Sequence, residues 1–182
     1  MRINTDLAAG TDFSREFVYG NGIDEPLFMD KVTGTGETAQ FTRYYYINDN
    51  LGSVVALASA SSEVVESYKY TPWGDPTIYA VDGSVLTESA IENPYLFTCR
   101  EVDILDSGSL KIQHNRHRPY HYQLARWMTP DPLGVVPNDY YNPFKPKDQL
   151  DDGVNVYQYV GNEPVNKNDF LGLSYLRFPD SN

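Results

Sequence analysis

The chain has 182 residues, enough for one domain with a core, and its net charge of −11 weighs against non-specific nucleic-acid binding, because neutralising phosphates takes Lys and Arg. It holds one cysteine, so no disulfide framework forms within it, and no apolar run approaches the length of a membrane-spanning helix. The 15 Tyr, 13 Gly and 12 Pro favour many short strands joined by tight turns over a helical bundle.

Residues 1–16 form a polar N-terminal segment without the apolar stretch of a secretory signal. Residues 16–19 (EFVY) and 27–32 are short strands, and TGTGET at 33–38 is a turn. In 40–75, Phe41, Arg43, Tyr45 and Ile47 alternate with Thr42, Tyr44 and Tyr46; NDNLG then breaks the run. Strands at 54–57 and 64–70 follow, separated by SASSE and closed by TPWGDP. Consecutive antiparallel hairpins are the reading for this region.

Residues 82–93 read as a loop with room for a short helix over 85–91. Strands are expected at 95–98 and 110–113, and 124–128 as either a helical turn or a strand. Residues 135–152, rich in Pro, Asn, Asp and Lys, read as a long loop. Residues 154–160 alternate, but also suit a two-turn helix ending at Gly161. The fold class is therefore mainly β: a strip of hairpins over 17–123, then an irregular region over 124–173 with short helical turns, and a tail over 174–182.

Near the C-terminal end Asp-x-Leu-Gly occurs twice, as Asp131-Pro132-Leu133-Gly134 and Asp169-Phe170-Leu171-Gly172. Asp followed by Pro suits the first two positions of a type I turn, and turn chemistry is the plain reading of each motif on the sequence. Two carboxylates brought together would instead split their proton affinities, one acting as base and one as acid.

The segments INDNLGSVVAL, ESYKYTPWGDP, NPYLFTCREVD, LARWMTPDPLG, VNVYQYVGNEPVN and DFLGL occur in that order. Together they resemble the RHS repeat-associated core domain, the C-terminal end of bacterial RHS and YD-repeat proteins. The resemblance implies a spiral β-sheet shell plugged at one end by the core segment. It implies a role in enclosing and separating a polymorphic C-terminal effector, often a toxin. Its partner would be further RHS/YD-repeat sheet of a parent protein, secreted or at the cell surface; expressed alone, the fragment would be cytoplasmic.

The family also includes aspartyl self-cleavage after the Leu of a final Asp-Pro-x-Gly-Leu motif. Carried over, Asp131 and Asp169 are the catalytic pair, Arg126 is the basic neighbour holding one carboxylate ionised, and Leu173–Ser174 is the scissile bond. Arg116 also matches an Arg of the family, and is expected to pair a buried carboxylate. Three residues depart from the pattern. Phe170 replaces Pro, and Ala125 and Cys99 stand where Gly is common; if those glycines have positive φ, the replacements cost stability.

His114, His117 and His121 have a spacing that suits zinc on a helix, but Pro119 and the interleaved aromatics favour a strand, so no metal is assigned. Cys99 lacks partners at a catalytic spacing and reads as a structural thiol. Trp73 and Trp127 are candidates for stacking sugars, which would make the chain a carbohydrate-binding or adhesion module. No phosphate-binding loop occurs, and no cofactor is expected. The readings in play are a structural plug module, a self-cleaving aspartyl protease and a surface-binding module.

Overall fold

A computed structural model describes residues 13–22, 24–34, 38–131, 155–173 and 176–177. It is mainly β. The chain divides into two compact units, Met1–Lys69 with Pro76–Cys99, and Tyr70–Asp75 with Arg100–Asn182.

The first unit is built on a seven-stranded antiparallel meander. Its strands are β1 (Phe13–Tyr19), β2 (Pro26–Thr33), β3 (Gln40–Asn48), β4 (Val54–Ser59), β5 (Val64–Tyr70), β6 (Pro76–Ala80) and β7 (Val85–Leu86), lying side by side in chain order. One turn recurs through it. At 49–53, 59–63, 71–75 and 80–84 the first residue's N–H bonds the carbonyl of the fifth, and its carbonyl accepts the N–H of the fourth. The fourth residue has positive φ: Gly52, Ser62, Gly74 and Gly83. This is the three-residue hairpin loop, a type I turn followed by a left-handed residue. The Gly-bearing breaks in the sequence fall on it because only Gly takes that conformation without steric cost.

Met29, Val54, Leu57, Tyr68 and Ile78 are buried with Leu96 and Phe97. Residues 89–98 bond back onto the strands: Tyr46 to Asn93 Oδ1, Asn93 to Tyr68, Ala90 N–H to Glu66, and Thr98 N–H to Ser53. The alternation of β3 resolves with Tyr44 and Tyr46 half-buried and Phe41, Tyr45 and Ile47 exposed, Phe41 at 62%. Arg43 covers Phe28 and pairs with Asp30 on the neighbouring strand.

The second unit carries a four-stranded antiparallel sheet, ordered β11 (Arg126–Trp127), β10 (Arg118–His121), β9 (Leu110–Asn115), β8 (Val102–Leu105). Tyr120, Tyr122, Trp127 and Tyr159 form its buried aromatic core, with Tyr120 edge-on to both Tyr122 and Trp127. A last pair, β12 (Lys167–Asn168) with β13 (Leu176–Arg177), is antiparallel. The second Asp-x-Leu-Gly motif lies between these two strands.

Several expectations change. Residues 95–98 form no strand; Phe97–Cys99 is a 3₁₀ turn, with Thr98 and Cys99 at positive φ. No helix forms over 85–91, where β7 sits instead. Residues 124–128 contain a turn and then β11. From 155 onward the alternating segment gives turns, one bridge from Gln158 to Arg126, and a 3₁₀ turn at Val160–Asn162, not a two-turn helix. The loop 135–152 lies outside the described residues. Among the described residues no helix is long and apolar enough to cross a membrane.

Candidate aspartyl site

Arg118 opens β10 directly after the Arg116–His117 hairpin tip, which places it on the second unit's sheet beside Trp127. Its guanidinium carbon lies 4.3 Å from the Trp127 ring centroid. That stacking desolvates the guanidinium and leaves its N–H edge free to meet acceptors. One terminal nitrogen lies 3.0 Å from Asp131 Oδ2, the other 3.2 Å from Asp169 Oδ2. All three side chains are buried. The two aspartates of the duplicated motif, far apart in sequence, thus meet on one cation.

The rest of the Asp169 carboxylate is held by its own loop. Oδ1 accepts the N–H groups of Leu171 (3.2 Å), Gly172 (2.8 Å) and Leu173 (3.1 Å). A compact Asp-led loop needs a left-handed residue, and Gly172 supplies it at φ +70°. A Cβ on Gly172 would stand 2.4 Å from the Asn115 carbonyl oxygen and 2.9 Å from the Arg118 nitrogen, so the position also needs the missing side chain. Burial pushes the Asp169 carboxyl above its ordinary value, against the opposing pull of the Leu173, Gly172 and Leu171 N–H groups and of Arg118.

The loop is gripped from outside as well. Asn115 Nδ2 donates to the Asp169 carbonyl (2.8 Å), and the His117 N–H to that of Leu171 (3.2 Å). Arg118 Nε donates to the Gly172 carbonyl (2.5 Å). The Phe170 carbonyl accepts from Arg100 and from Arg116 (3.3 Å).

Of the residues expected here, Asp131 and Asp169 come together, and Leu173 lies within hydrogen-bond reach of Asp169. Ser174 lies outside the described residues. Arg126 is elsewhere: it is exposed, with its guanidinium over the Tyr157 ring, and Arg118 occupies the place expected for it. Arg116 is exposed and donates to a main-chain carbonyl, while the buried carboxylates meet Arg118. The sequence held a signal for Arg118, the dense HNRHRPYHY segment, but several cations there compete and only the hairpin register selects one.

Trp127 is 1% exposed, under Arg118 and against Tyr120 and Tyr159, so it offers no face to a sugar. Trp73 is half-buried and its carbonyl accepts the Tyr120 hydroxyl. His114 pairs with Asp103, and His121 Nδ1 faces the Leu124 N–H. Among the described residues no three His, Cys, Asp or Glu side chains group as a metal site.

No family model matches the chain, and no curated protein does. Solved structures do. A TcdB2-TccC3 structure matches 91% of this chain with a TM-score of 0.60 and 18% identity, over 7% of its own length. TcdB2-TccC3 without its hypervariable C-terminal region matches 94% with a TM-score of 0.54 and 17% identity, over 8% of its length. A Tc holotoxin pore of Photorhabdus luminescens carrying a TccC3 mutation matches 94% with a TM-score of 0.55 and 16% identity, again over 8%. The chain is therefore a mainly antiparallel β protein whose fold is similar to a part of Tc toxin chains. It spans less than a tenth of the length of those chains.

Proposed function

We propose that this chain is a core module of an RHS/YD-repeat shell, and that its C-terminal part is an aspartyl site cutting its own Leu173–Ser174 bond. The meander of repeated hairpins and the likeness to Tc toxin chains support the first half. That one such neighbour is TcdB2-TccC3 without its hypervariable C-terminal region fits a module that separates sheet from variable cargo. In this reading β1, an edge of the seven-stranded sheet, pairs with further sheet of a larger exported bacterial protein.

One observation carries the second half: Asp131 and Asp169 share the Arg118 guanidinium, while the Leu173 N–H binds Asp169. One guanidinium offsets one carboxylate, so a buried pair favours retaining a proton. In this reading Asp169, whose carboxyl burial raises, serves as the acid. Asp131 takes a proton from water, whose oxygen attacks the Leu173 carbonyl carbon. The bond to the Ser174 nitrogen then breaks, and that nitrogen leaves with the proton of Asp169.

Intact mass of the purified full chain tests this. Wild type is expected to have lost residues 174–182, and Asp131→Asn and Asp169→Asn to keep them. Tail loss from the Asn variants at the wild-type rate would remove the aspartates from the reaction.

A further inference from the structure

Four successive carbonyls, those of residues 169–172, each accept a hydrogen bond from a donor between residues 100 and 118. Phe170 is held twice. Its carbonyl takes Arg100 and Arg116, and its ring lies under the same Arg100, 5.6 Å from centroid to guanidinium carbon. Arg100 is itself buried, just beyond the strained Thr98–Cys99 turn, so it is a fixed post and not a flexible surface cation. This double hold falls on Phe170, the position at which the first motif has Pro132. Proline fixes φ through its ring; phenylalanine leaves it free.

We infer that Arg100, with Arg116 behind it, is a positioning residue that clamps Phe170 through ring and carbonyl and thereby fixes the Leu171–Leu173 backbone against Asp169. It touches no reacting atom. It acts through the Phe170 carbonyl, and the register it sets decides where the Leu173 carbonyl stands. Lysine keeps the charge but cannot present a planar face to the ring and an in-plane N–H to the carbonyl together.

The test uses the full chain in four forms: wild type, Arg100→Lys, Phe170→Pro and the double variant, all in the Asp131→Asn background so that the tail stays attached. Hydrogen exchange is read at the Leu171, Gly172 and Leu173 amides. Arg100→Lys is expected to speed exchange there by about tenfold or more, with the β2–β5 amides unchanged. Phe170→Pro in the same chain is expected to restore protection, since the ring of proline replaces the lost clamp. Unchanged exchange in Arg100→Lys would overturn the assignment. So would loosening that spreads to β8–β10 and is not rescued by proline, because that marks a general structural role.

The cleavage arm rests on the aspartyl reading. With Asp131 restored, Arg100→Lys is expected to cut at least about tenfold more slowly than wild type, and the double variant to recover. A wild type that does not cut would count against the aspartyl reading alone, because the exchange arm judges the clamp without cleavage.

Discussion

Ala125 shows how a single side chain carries a cost. It has φ of 52°, its N–H bonds the Tyr122 carbonyl, and it sits at the left-handed place of the β10–β11 turn, equivalent to Gly52, Gly74 and Gly83. A left-handed L-residue costs roughly 1–2 kcal/mol, so Ala125→Gly is expected to raise unfolding free energy by about 1 kcal/mol in a denaturant titration. Gly172→Ala is the converse. Its Cβ would enter the Asn115 carbonyl, so the loop must open, and loss of the Asp169 cap bonds would appear as rapid exchange at residues 171–173. Asp169 itself gives a pH prediction. Its folded carboxyl is raised above the ordinary 3.8, so its favourable contribution is complete below that value and is lost as pH rises through the folded one. Asp169→Asn keeps an acceptor for the three N–H groups without the charge. Wild type should therefore lose stability relative to Asp169→Asn as pH is raised, measured by unfolding at matched ionic strength; a constant difference would contradict the burial argument.

Among the strands and turns, what could be read depended on locality. β5 (Val64–Tyr70) matches its expected bounds because turn residues bracket it on both sides. β3 was legible as a strand, but not which face went inward: Tyr44 and Tyr46 bury partly through hydroxyl bonding such as Tyr46 to Asn93, while the apolar Phe41 and Ile47 stay exposed. Residues 95–98 look like a strand by composition, yet Thr98 and Cys99 take positive φ, a choice imposed by packing and not by propensity. The positive φ expected at Ala125 and Cys99 if glycine belonged there is present at both. The aspartate pair was legible as a repeated motif, whereas its cation was not, because Arg118 is selected by the two-residue offset of a hairpin register. The bridge also predicts stability. Arg118→Met takes the one cation from a buried carboxyl pair and is expected to cost about 3–5 kcal/mol, and Asp169→Asn in the same chain to recover part of it, measured as a double-mutant cycle.

For the chain as a whole, the two compact units differ in what holds them. The strands of the first pair with their neighbours in sequence, and residues 89–98 bond back onto them; the second brings Arg100–Trp127 together with residues 155–173 through long-range bonds. Local ladders hold together strand by strand, so β2–β5 are expected to be the most protected amides in native-state exchange. The absence of protection there would mean that the sheet needs partners beyond this chain. The chemical proposal depends on the second unit, where the duplicated Asp motif, the Arg118 bridge and the carbonyl clamp all reside. The most direct measurement is synthesis of the chain in ¹⁸O-enriched water followed by mass analysis of the new C-terminus. The expected product ends at Leu173 with one heavy oxygen in its carboxylate and is absent in Asp131→Asn. An intact chain, or a terminus at any other residue, would contradict the proposal.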